Sequence, residues 1–341
     1  MHNKILSLAA TALLSGLASS QALGQNTNSL ESTDEPPAKL DDLVVTAALE
    51  PVSINDVASS ITVITREEIE QRQVKYLADL LRDVPGFSVS QAGGIGAQTQ
   101  IRVRGSEANH MLVLIDGIRA NDPASVDEFQ FQFATTANIE RIEIIRGPQS
   151  SIWGSDAMAG VINIIRTKDT RETWVSGSVE GGSFSTFNGA VDGGLSRENF
   201  RLQGGVSYYT TDGINIARDG DEKDGSDNTT ANLGLEWDIN DAWSFVASGQ
   251  YVDAETQFDD VDFYVTGLPV DTDRVTRADR TYVRGEVRYK PPESRWSGNA
   301  SVNYTDSDNR NFYDGIFNSS TAAEVVDARA RGSVLLGEER H

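Results

Sequence analysis

Two groups of acidic residues are candidates for binding a metal cation. The first is the run DGDEKDGSD over residues 219–227, and the second comprises Asp259, Asp260, Asp262, Asp271 and Asp273. Carboxylates that converge repel one another unless a cation lies between them, and Ca²⁺ takes about six to eight oxygen ligands. The spacing does not match an EF-hand loop. Two solvated acidic loops are the alternative, and the residue types alone do not separate it from a calcium site.

The sequence offers no residue set for nucleophilic, thiolate or phosphate-loop chemistry. It has no cysteine and three histidines, of which His2 and His341 are terminal. His110 has no partner nearby in the sequence, so we expect it to be structural. The glycine-rich run at residues 93–96 lacks the lysine and the following helix of a phosphate loop. We therefore predict that the protein is not an enzyme, and its net charge of -22 argues against nucleic acid as a partner.

The N-terminal segment has the composition of an export signal. Lys4 supplies a positive charge, residues 5–14 are mainly apolar, and small residues before Gln25 suit a signal peptidase. These features predict a signal peptide over residues 1–24, because a membrane-spanning helix would need about 20 apolar residues. Residues 25–49 are expected to be disordered around a short apolar stretch at residues 42–47. That stretch either begins the next domain or adds a strand to a partner's sheet.

Residues 50–168 have the pattern of one compact α+β domain. Thr65 and Glu68 form a capping box that opens a helix. A second helix is predicted over residues 77–84, where Pro85-Gly86 ends it. Strands are predicted at residues 61–64, 101–104, 111–115, 139–145 and 161–165, with a turn at Asp116-Gly117.

From Thr173 onward, apolar and polar residues alternate in segments of about ten residues, the period of a β-strand. We predict strands near residues 173–183, 186–195, 199–210, 229–239, 243–253, 280–290, 295–305 and 324–336. Short turns alternate with long loops, and the long loops are placed at residues 211–228, 254–279 and 306–323. Alternation alone would also suit a soluble sandwich, but alternately short and long connections are typical of outer-membrane barrels.

The aromatic residues favour a membrane barrel wall. Tryptophans fall at one end of the predicted strands (Trp174, Trp237, Trp243 and Trp296), and tyrosines fall at the other end (Tyr208, Tyr251 and Tyr304). From Trp243 to Tyr251 a strand tilted by about 40° rises roughly 20 Å, close to the apolar band of about 25 Å between aromatic girdles. Eight strands enclose too little space for an internal domain, and plugged transporters use about 22. We therefore expect the chain to be truncated within its barrel.

Residues 145–165, IRGPQSSIWGSDAMAGVINII, resemble the end of the plug domain of TonB-dependent outer-membrane receptors. The chain is similar to the cobalamin (vitamin B12) receptor branch of that family at residues 43–47 (LVVTA), 113–119 (VLIDGIR), 153–156 (WGSD) and 238–243 (DINDAW). The resemblance implies a plug domain over residues 50–168 and part of a transmembrane antiparallel β-barrel over residues 173–341. It implies a monomer in outer-membrane lipid that imports cobalamin with energy from the TonB transducer. A ferric-siderophore receptor of the same architecture is the alternative.

Matching this sequence to the family residue by residue implies three sets of site residues. The TonB box comprises Asp42, Leu43, Val44, Val45, Thr46 and Ala47. The ligands of a structural Ca²⁺ needed for ligand binding are Asn215, Glu222, Asp224, Asp259, Asp260 and Asp271, with Asp221 as an alternative in the first loop. The ligand-facing plug residues are Gln91, Gln98, Gln100, Glu107, Ser125 and Val126. The paired acidic loops favour the cobalamin branch over the siderophore receptors, and the plug argues against a passive porin.

Overall fold

The computed structural model describes residues 43–44, 52–53, 59–166, 172–218, 220, 222–262 and 264–335. The predicted signal peptide at residues 1–24 lies outside the described residues, as do Asp42 and residues 45–47 of the predicted TonB box. Two short strands, β1 (Leu43–Val44) and β2 (Val52–Ser53), pair antiparallel. Leu43 lies opposite Ser53, so the described part of the box is a strand held by two residue pairs.

The N-terminal domain, residues 59–166, is an α+β domain as predicted. Its strands are β3 (Ser60–Thr65), β4 (Phe87–Gln91), β5 (Thr99–Val103), β6 (Met111–Ile115), β7 (Ile118–Arg119), β8 (Arg141–Arg146) and β9 (Gly160–Ile165). Its helices are α1 (Arg66–Arg72), α2 (Leu77–Leu81) and α3 (Ser150–Trp153), with 3-10 turns at Ala108–His110, Pro123–Ser125 and Phe131–Phe133. One sheet has the order β3-β8-β9-β6-β7, in which β6 and β9 run parallel, and β4 and β5 form a separate hairpin.

Local sequence signals place the helices of this domain. Thr65 caps α1 by accepting a hydrogen bond from the Glu68 N–H at 3.4 Å, which is the threonine half of the predicted capping box, whereas Glu68 Oε1 accepts from Arg72. The second helix, α2, ends at Leu81, three residues before the predicted end. Pro85 disfavours helical geometry at Val84, so the chain leaves the helix in a turn whose Val84 N–H bonds the Leu81 carbonyl.

Apolar strands form the core of the N-terminal domain. All five residues of β6 are buried, and the side chains of Val113, Leu114 and Ile142 are fully enclosed. The turn after β6 has positive φ angles of 49° at Asp116 and 80° at Gly117. Such angles are typical of a two-residue hairpin turn and fit the predicted aspartate-glycine signal.

The remaining strands form one antiparallel sheet in which each strand pairs with its neighbour in sequence. They are β10 (Trp174–Gly181), β11 (Phe187–Arg197), β12 (Phe200–Ile214), β13 (Asp224–Asp238), β14 (Trp243–Val261), β15 (Pro269–Tyr289), β16 (Trp296–Tyr313) and β17 (Ile316–Val334). We call the end with the tryptophans the lower end. The upper end carries the connections at residues 215–223, 262–268 and 314–315.

The predicted long loops at residues 211–228, 254–279 and 306–323 are wrong, because strands occupy half of the first range and most of the other two. Hairpin β14–β15 continues to the pair Val261–Pro269, and hairpin β16–β17 continues to Tyr313–Ile316. Apolar–polar alternation fades above the membrane band because the outer face also carries charged residues there, such as Glu255 and Arg277, while the inner face stays polar and buried, as at Thr256 and Asn309. Cross-strand ion pairs such as Arg277 with Glu255 at 2.6 Å lie on these extensions and support the pairing.

The two faces of the sheet differ in polarity. One face exposes apolar side chains, including Val206, Leu233 and Val302, while polar side chains such as Thr230 and Asn303 are buried on the other, inner face. Apolar side chains that face outward and polar ones that face inward are typical of a membrane barrel wall. None of the helices in the described part of the chain has the length and apolar character to cross a membrane.

Candidate functional site

The N-terminal domain lies against the inner face of the sheet and bonds to it at several heights. Near the lower end, Arg66 Nη2 lies 3.1 Å from Asp192 Oδ2. Arg284 Nη1 donates to the Gly117 carbonyl at 3.3 Å. Further hydrogen bonds join Asn138 to Asn232 (3.1 Å), Asn228 to the Phe133 carbonyl (3.0 Å), and Thr305 to the Arg119 carbonyl (3.0 Å). These five contacts join inner polar side chains of the wall to the domain.

Loop 92–98, between β4 and β5, touches the upper part of the wall. Gly96 has a φ of +85°, and a Cβ atom there would stand 2.4 Å from Thr256 Oγ1 and 2.6 Å from Ser226 Oγ. Both the backbone angle and the close approach require glycine. Tyr76 Oη also lies 3.5 Å from Ser226 Oγ. The loop is thus seated directly on strands β13 and β14.

Three of the predicted ligand residues belong to hairpin β4–β5. Gln91 donates to the Gly94 carbonyl at 2.6 Å and accepts from Arg82, so its side chain shapes loop 92–98. Gln98 is exposed in that loop. Gln100 donates to both carboxylate oxygens of Glu128, at 3.0 and 2.8 Å. This last contact joins the hairpin to the segment that carries Ser125 and Val126.

Ser125 and Val126 lie in residues 122–128, which we call the apical loop. Ser125 Oγ bonds the Asp122 carboxylate at 3.1 Å, and Val126 is 74% exposed. Glu107 is exposed too, but it lies beyond the other end of β5, after Val103. Five of the six predicted ligand residues therefore belong to two loops that touch, and Glu107 stands apart.

The structure brings several predicted cation ligands together at the upper end. Asn215 Nδ2 donates to Asp271 Oδ1 at 3.4 Å, and Asn215 Oδ1 accepts from the Ala217 N–H at 2.7 Å. Asp259 accepts from the same Ala217 N–H at 3.1 Å through Oδ2. Its Oδ1 accepts from the Thr272 N–H at 3.0 Å. Asn215, in the connection between β12 and β13, thus lies beside two carboxylates of the second acidic group, Asp259 and Asp271.

Unneutralised charge marks this cluster. Burial and the nearby Asp259 carboxylate raise the pKa of Asp224 to about 6. Burial and the carboxylates of Asp273 and Asp271 raise the pKa of Glu222 above its ordinary value. Asp224 is 3% exposed, and among the described residues no donor reaches its Oδ2. A buried carboxylate oxygen without a donor is the atom that a cation would satisfy.

Asp260 does not take part in the cluster as the match implied. Its Oδ2 lies 2.5 Å from Arg274 Nη2, and its Oδ1 accepts from the Val261 N–H. The pairing of β14 with β15 shifts register between Phe258 and Asp260, and at this irregularity Asp259 is buried whereas the Asp260 side chain is 43% exposed. Within the described ranges, no three histidine, cysteine, aspartate or glutamate side chains are placed so as to hold a metal. The alternative ligand Asp221 lies outside the described residues. The donor types fit calcium, but a closed set of ligands is not formed.

Asp273 and Asp314 also belong to this charged region, since both raise the pKa of Glu222. Asp273 appears in the second acidic group of the sequence, whereas Asp314 was not identified as a site residue. Asp314 occupies the turn between β16 and β17 with a φ of 49°, and its N–H bonds the Asp273 carbonyl at 2.9 Å. The dipeptide Asp314-Gly315 was the available sequence signal for a tight turn there.

Comparison with known proteins identifies the type of domain. Residues 53–161 match the family model for the TonB-dependent Receptor Plug Domain. The chain is similar to the solved structure of P. aeruginosa FpvA bound to a ferric pyoverdine, with 18% identity and a TM-score of 0.68 over 80% of this chain and 37% of that one. It is similar to the siderophore receptor PiuA from Acinetobacter baumannii (18%, TM-score 0.63, covering 80% and 40%). It is also similar to the ferric-catecholate import receptor Fiu from E. coli K12 (17%, TM-score 0.62, covering 84% and 46%).

These similarities confirm the predicted fold class, a plug domain followed by antiparallel strands of an outer-membrane barrel. They also confirm the predicted outer-membrane location. The chain spans less than half the length of each of the three structures, between 37% and 46%. None of the three is described as a cobalamin receptor, so the cobalamin branch is not confirmed.

Proposed function

We propose that the receptor carrying this chain imports a large ligand across the bacterial outer membrane with energy from TonB, and that the ligand is a ferric siderophore. The observation that carries the proposal is a TonB-dependent receptor plug domain bonded along the inner face of a barrel wall. A domain in that position obstructs passage along the wall. A ligand can pass only if the plug is rearranged, and rearrangement against so many contacts needs an energy input.

The segment Leu43–Val44 is the proposed point where that energy enters. In the structure it pairs with Val52–Ser53 through two residue pairs only. A strand held so weakly can leave its pairing and add to the sheet edge of a partner protein. Residues 42–47 therefore act as the TonB box, and the transducer is the partner.

Ferric siderophores are the ligand class that the similar proteins support best. FpvA is bound to a pyoverdine iron complex, PiuA is a siderophore receptor, and Fiu imports ferric catecholates. In this chain the ligand meets the exposed residues of the two touching plug loops, Gln98 and Val126, with Gln100 and Ser125 beside them. Glutamine and serine side chains both donate and accept hydrogen bonds, which suits the many oxygen atoms of such a ligand.

Cobalamin with calcium is the second candidate, and the acidic cluster is the observation that favours it. Glu222, Asp224, Asp259 and Asp271 make the upper rim strongly negative. An anionic ferric siderophore would be repelled there unless a cation neutralised the rim. Asn215, Asp224, Asp259 and Asp271 would hold Ca²⁺, which supplies positive charge and draws the two hairpins together.

Titration calorimetry on the purified receptor tests both candidates. Ferric catecholate, ferric hydroxamate and cyanocobalamin are titrated separately, once with calcium and once with a chelator. Tight binding of one ferric siderophore is expected. Tight binding of cyanocobalamin alone, dependent on calcium, would replace the first candidate with the second. Binding of none of the three would overturn both ligand assignments.

A matched pair of variants separates a calcium site from general surface charge. Asp259→Asn removes a carboxylate from the cluster, whereas Asp260→Asn removes its sequence neighbour, which pairs with Arg274 instead. If calcium acts at the cluster, only Asp259→Asn should abolish the effect of calcium on ligand affinity. Equal effects of the two substitutions would show that the rim acts only through its net charge.

A further inference from the structure

A buried carboxylate joins the apical loop to the barrel wall. Asp122, at the start of the loop, is 2% exposed. Its Oδ1 accepts hydrogen bonds from the Ala124 N–H and from Ser307 Oγ, both at 2.9 Å. Its Oδ2 accepts from Ser125 Oγ at 3.1 Å and from Asn309 Nδ2 at 3.3 Å. Each oxygen atom of Asp122 therefore bonds one group of the loop and one group of strand β16.

A buried arginine of strand β15 completes this contact. Arg280 Nη2 lies 3.4 Å from Asp122 Oδ2, and the two side chains are 4% and 2% exposed. Arg280 also donates to Asn309 Oδ1 at 2.6 Å and stands 5.6 Å from the centre of the Phe133 ring. Hydrogen bonds to the carbonyls of Asp279 and Asp308 fix its position. Loss of the Asp122 charge would leave this buried guanidinium without its carboxylate.

The apical loop has a backbone conformation that depends on Asp122. Val126 and Asp127 both have a φ of +58°, in the left-handed region. A β-branched residue such as Val126 rarely adopts that region, and it persists only where surrounding contacts enforce it. The Ser125 and Asp127 N–H groups both bond the Asp122 carbonyl at 3.0 Å, and Asp122 also bridges to Glu128. The main contacts that enforce the loop converge on this one residue.

We propose that Asp122 is a positioning residue that, through Arg280, Ser307 and Asn309, holds the apical loop on the barrel wall in the form that presents Ser125 and Val126 to the ligand. This inference rests on the proposed function, because the ligand contacts of Ser125 and Val126 are themselves proposed. An apical loop released from the wall samples more conformations. A ligand must then fix the loop as it binds, which lowers affinity.

A single spin label tests the position of the loop without any ligand. The sequence has no cysteine, so Val126→Cys creates one labelling site at an exposed position of the purified receptor. Asp122→Asn keeps an oxygen for Ala124 and Ser307 but places an amide where Arg280 and Asn309 now meet a carboxylate. We expect Asp122→Asn to narrow the spectral lines of the label, because the released apical loop moves more freely than in the labelled parent receptor. In unlabelled Asp122→Asn, which keeps Val126, we also expect ferric-siderophore affinity to fall by about tenfold or more, as when one partner of a buried charge pair is lost.

Asp127→Asn is the matched control. Asp127 is another carboxylate of the apical loop, but its partner is Arg119 of the plug domain, at 2.8 Å, rather than a residue of the wall. The label spectrum of Asp127→Asn should remain that of the parent protein. If Asp127→Asn and Asp122→Asn narrow the lines equally, the loop is merely unstable and the positioning role is excluded.

Substitution from the barrel side gives an independent test if Asp122→Asn fails to fold. Arg280→Gln should also narrow the lines, and the double variant should add little, because both substitutions remove the same ion pair. Additive effects, or parental spectra in both single variants, would overturn the proposal. Narrowed lines in a receptor that binds no ferric siderophore would instead count against the proposed ligand class and leave the positioning role intact.

Discussion

Replacing Asp224 by asparagine should stabilise the upper end of the sheet when no divalent cation is bound. Burial and the Asp259 carboxylate raise the pKa of Asp224 to about 6, from an ordinary value of 3.8. Each pKa unit corresponds to about 1.4 kcal/mol, so the charged form lowers the local free energy of unfolding by at most about 3 kcal/mol. Asparagine keeps an oxygen to accept from the Ile216 backbone but carries no charge. The gain in chelator should have this sign and should not exceed that upper value.

The contribution of Asp224 to the stability of the upper end changes with pH in a defined direction. Between pH 4 and 6 the folded protein keeps a proton on Asp224 that the unfolded chain releases. Stability therefore falls as the pH rises through that window, and the penalty is fully present above pH 6. Below about pH 4 the carboxyl is protonated in both states and the penalty disappears. Asp224→Asn should remove the part of this dependence that belongs to Asp224.

Hydrogen–deuterium exchange of residues 211–228 and 254–279 measures the effect locally. In chelator at neutral pH, Asp224→Asn should slow exchange by up to about a hundredfold, the ratio that 3 kcal/mol represents. In calcium the parent protein should exchange more slowly than Asp224→Asn, because the parent protein gains a bound cation and the variant has lost a ligand of that cation. Faster exchange of Asp224→Asn in chelator would refute the argument, since it would show that the carboxylate already has a stabilising partner.

Three further predictions follow from single contacts. Leu43→Pro should abolish TonB-dependent uptake and leave ligand affinity unchanged, because proline removes a backbone donor from a strand held by two residue pairs. Whole-cell assays measure the uptake, and calorimetry measures the affinity. Gly96→Val should lower ligand affinity by displacing loop 92–98 from Thr256 and Ser226, and a parental affinity would show that the wall yields instead. Arg66→Gln should speed amide exchange in α1, because it breaks the ion pair with Asp192. Arg82→Gln, which breaks an exposed ion pair with Asp79, should leave amide exchange in α1 unchanged.

The lower half of the fold could be predicted from sequence because each element there has a local signal. The capping box at Thr65 marks α1, and period-two alternation marks the part of each strand within the membrane band. The upper extensions have no such signal. Residues 254–261 carry polar side chains on both faces among a few apolar ones, and their strand character appears only when Arg277 is seen opposite Glu255.

The site residues also divide into those that could be predicted from the sequence and those that could not. Asp224, Asp259 and Asp271 could be grouped from sequence, because hairpin topology brings adjacent connections together. Asp260 could not be assigned without the strand register, which turns it to Arg274. Asp122 had no distinguishing pattern at all, since its importance arises from Arg280 and Asn309, more than 150 residues away in sequence. Long-range polar contacts of this kind are invisible to periodicity.

The acidic cluster lies next to loop 92–98 of the plug domain, with Ile216 between them. The Ile216 backbone donates to the Asp224 carboxylate, and Ile216 Cδ1 lies 3.3 Å from where a Cβ atom of Gly93 would stand. A cation at Asp224 therefore acts within two contacts of loop 92–98. Any cation that raises ligand affinity through this route must itself bind more tightly, by the same factor, when ligand is present. Calcium titrations of the purified receptor with and without ferric siderophore measure that factor. If the same coupling between calcium and ferric siderophore persists in Asp259→Asn, the cation that causes it binds elsewhere than on this path.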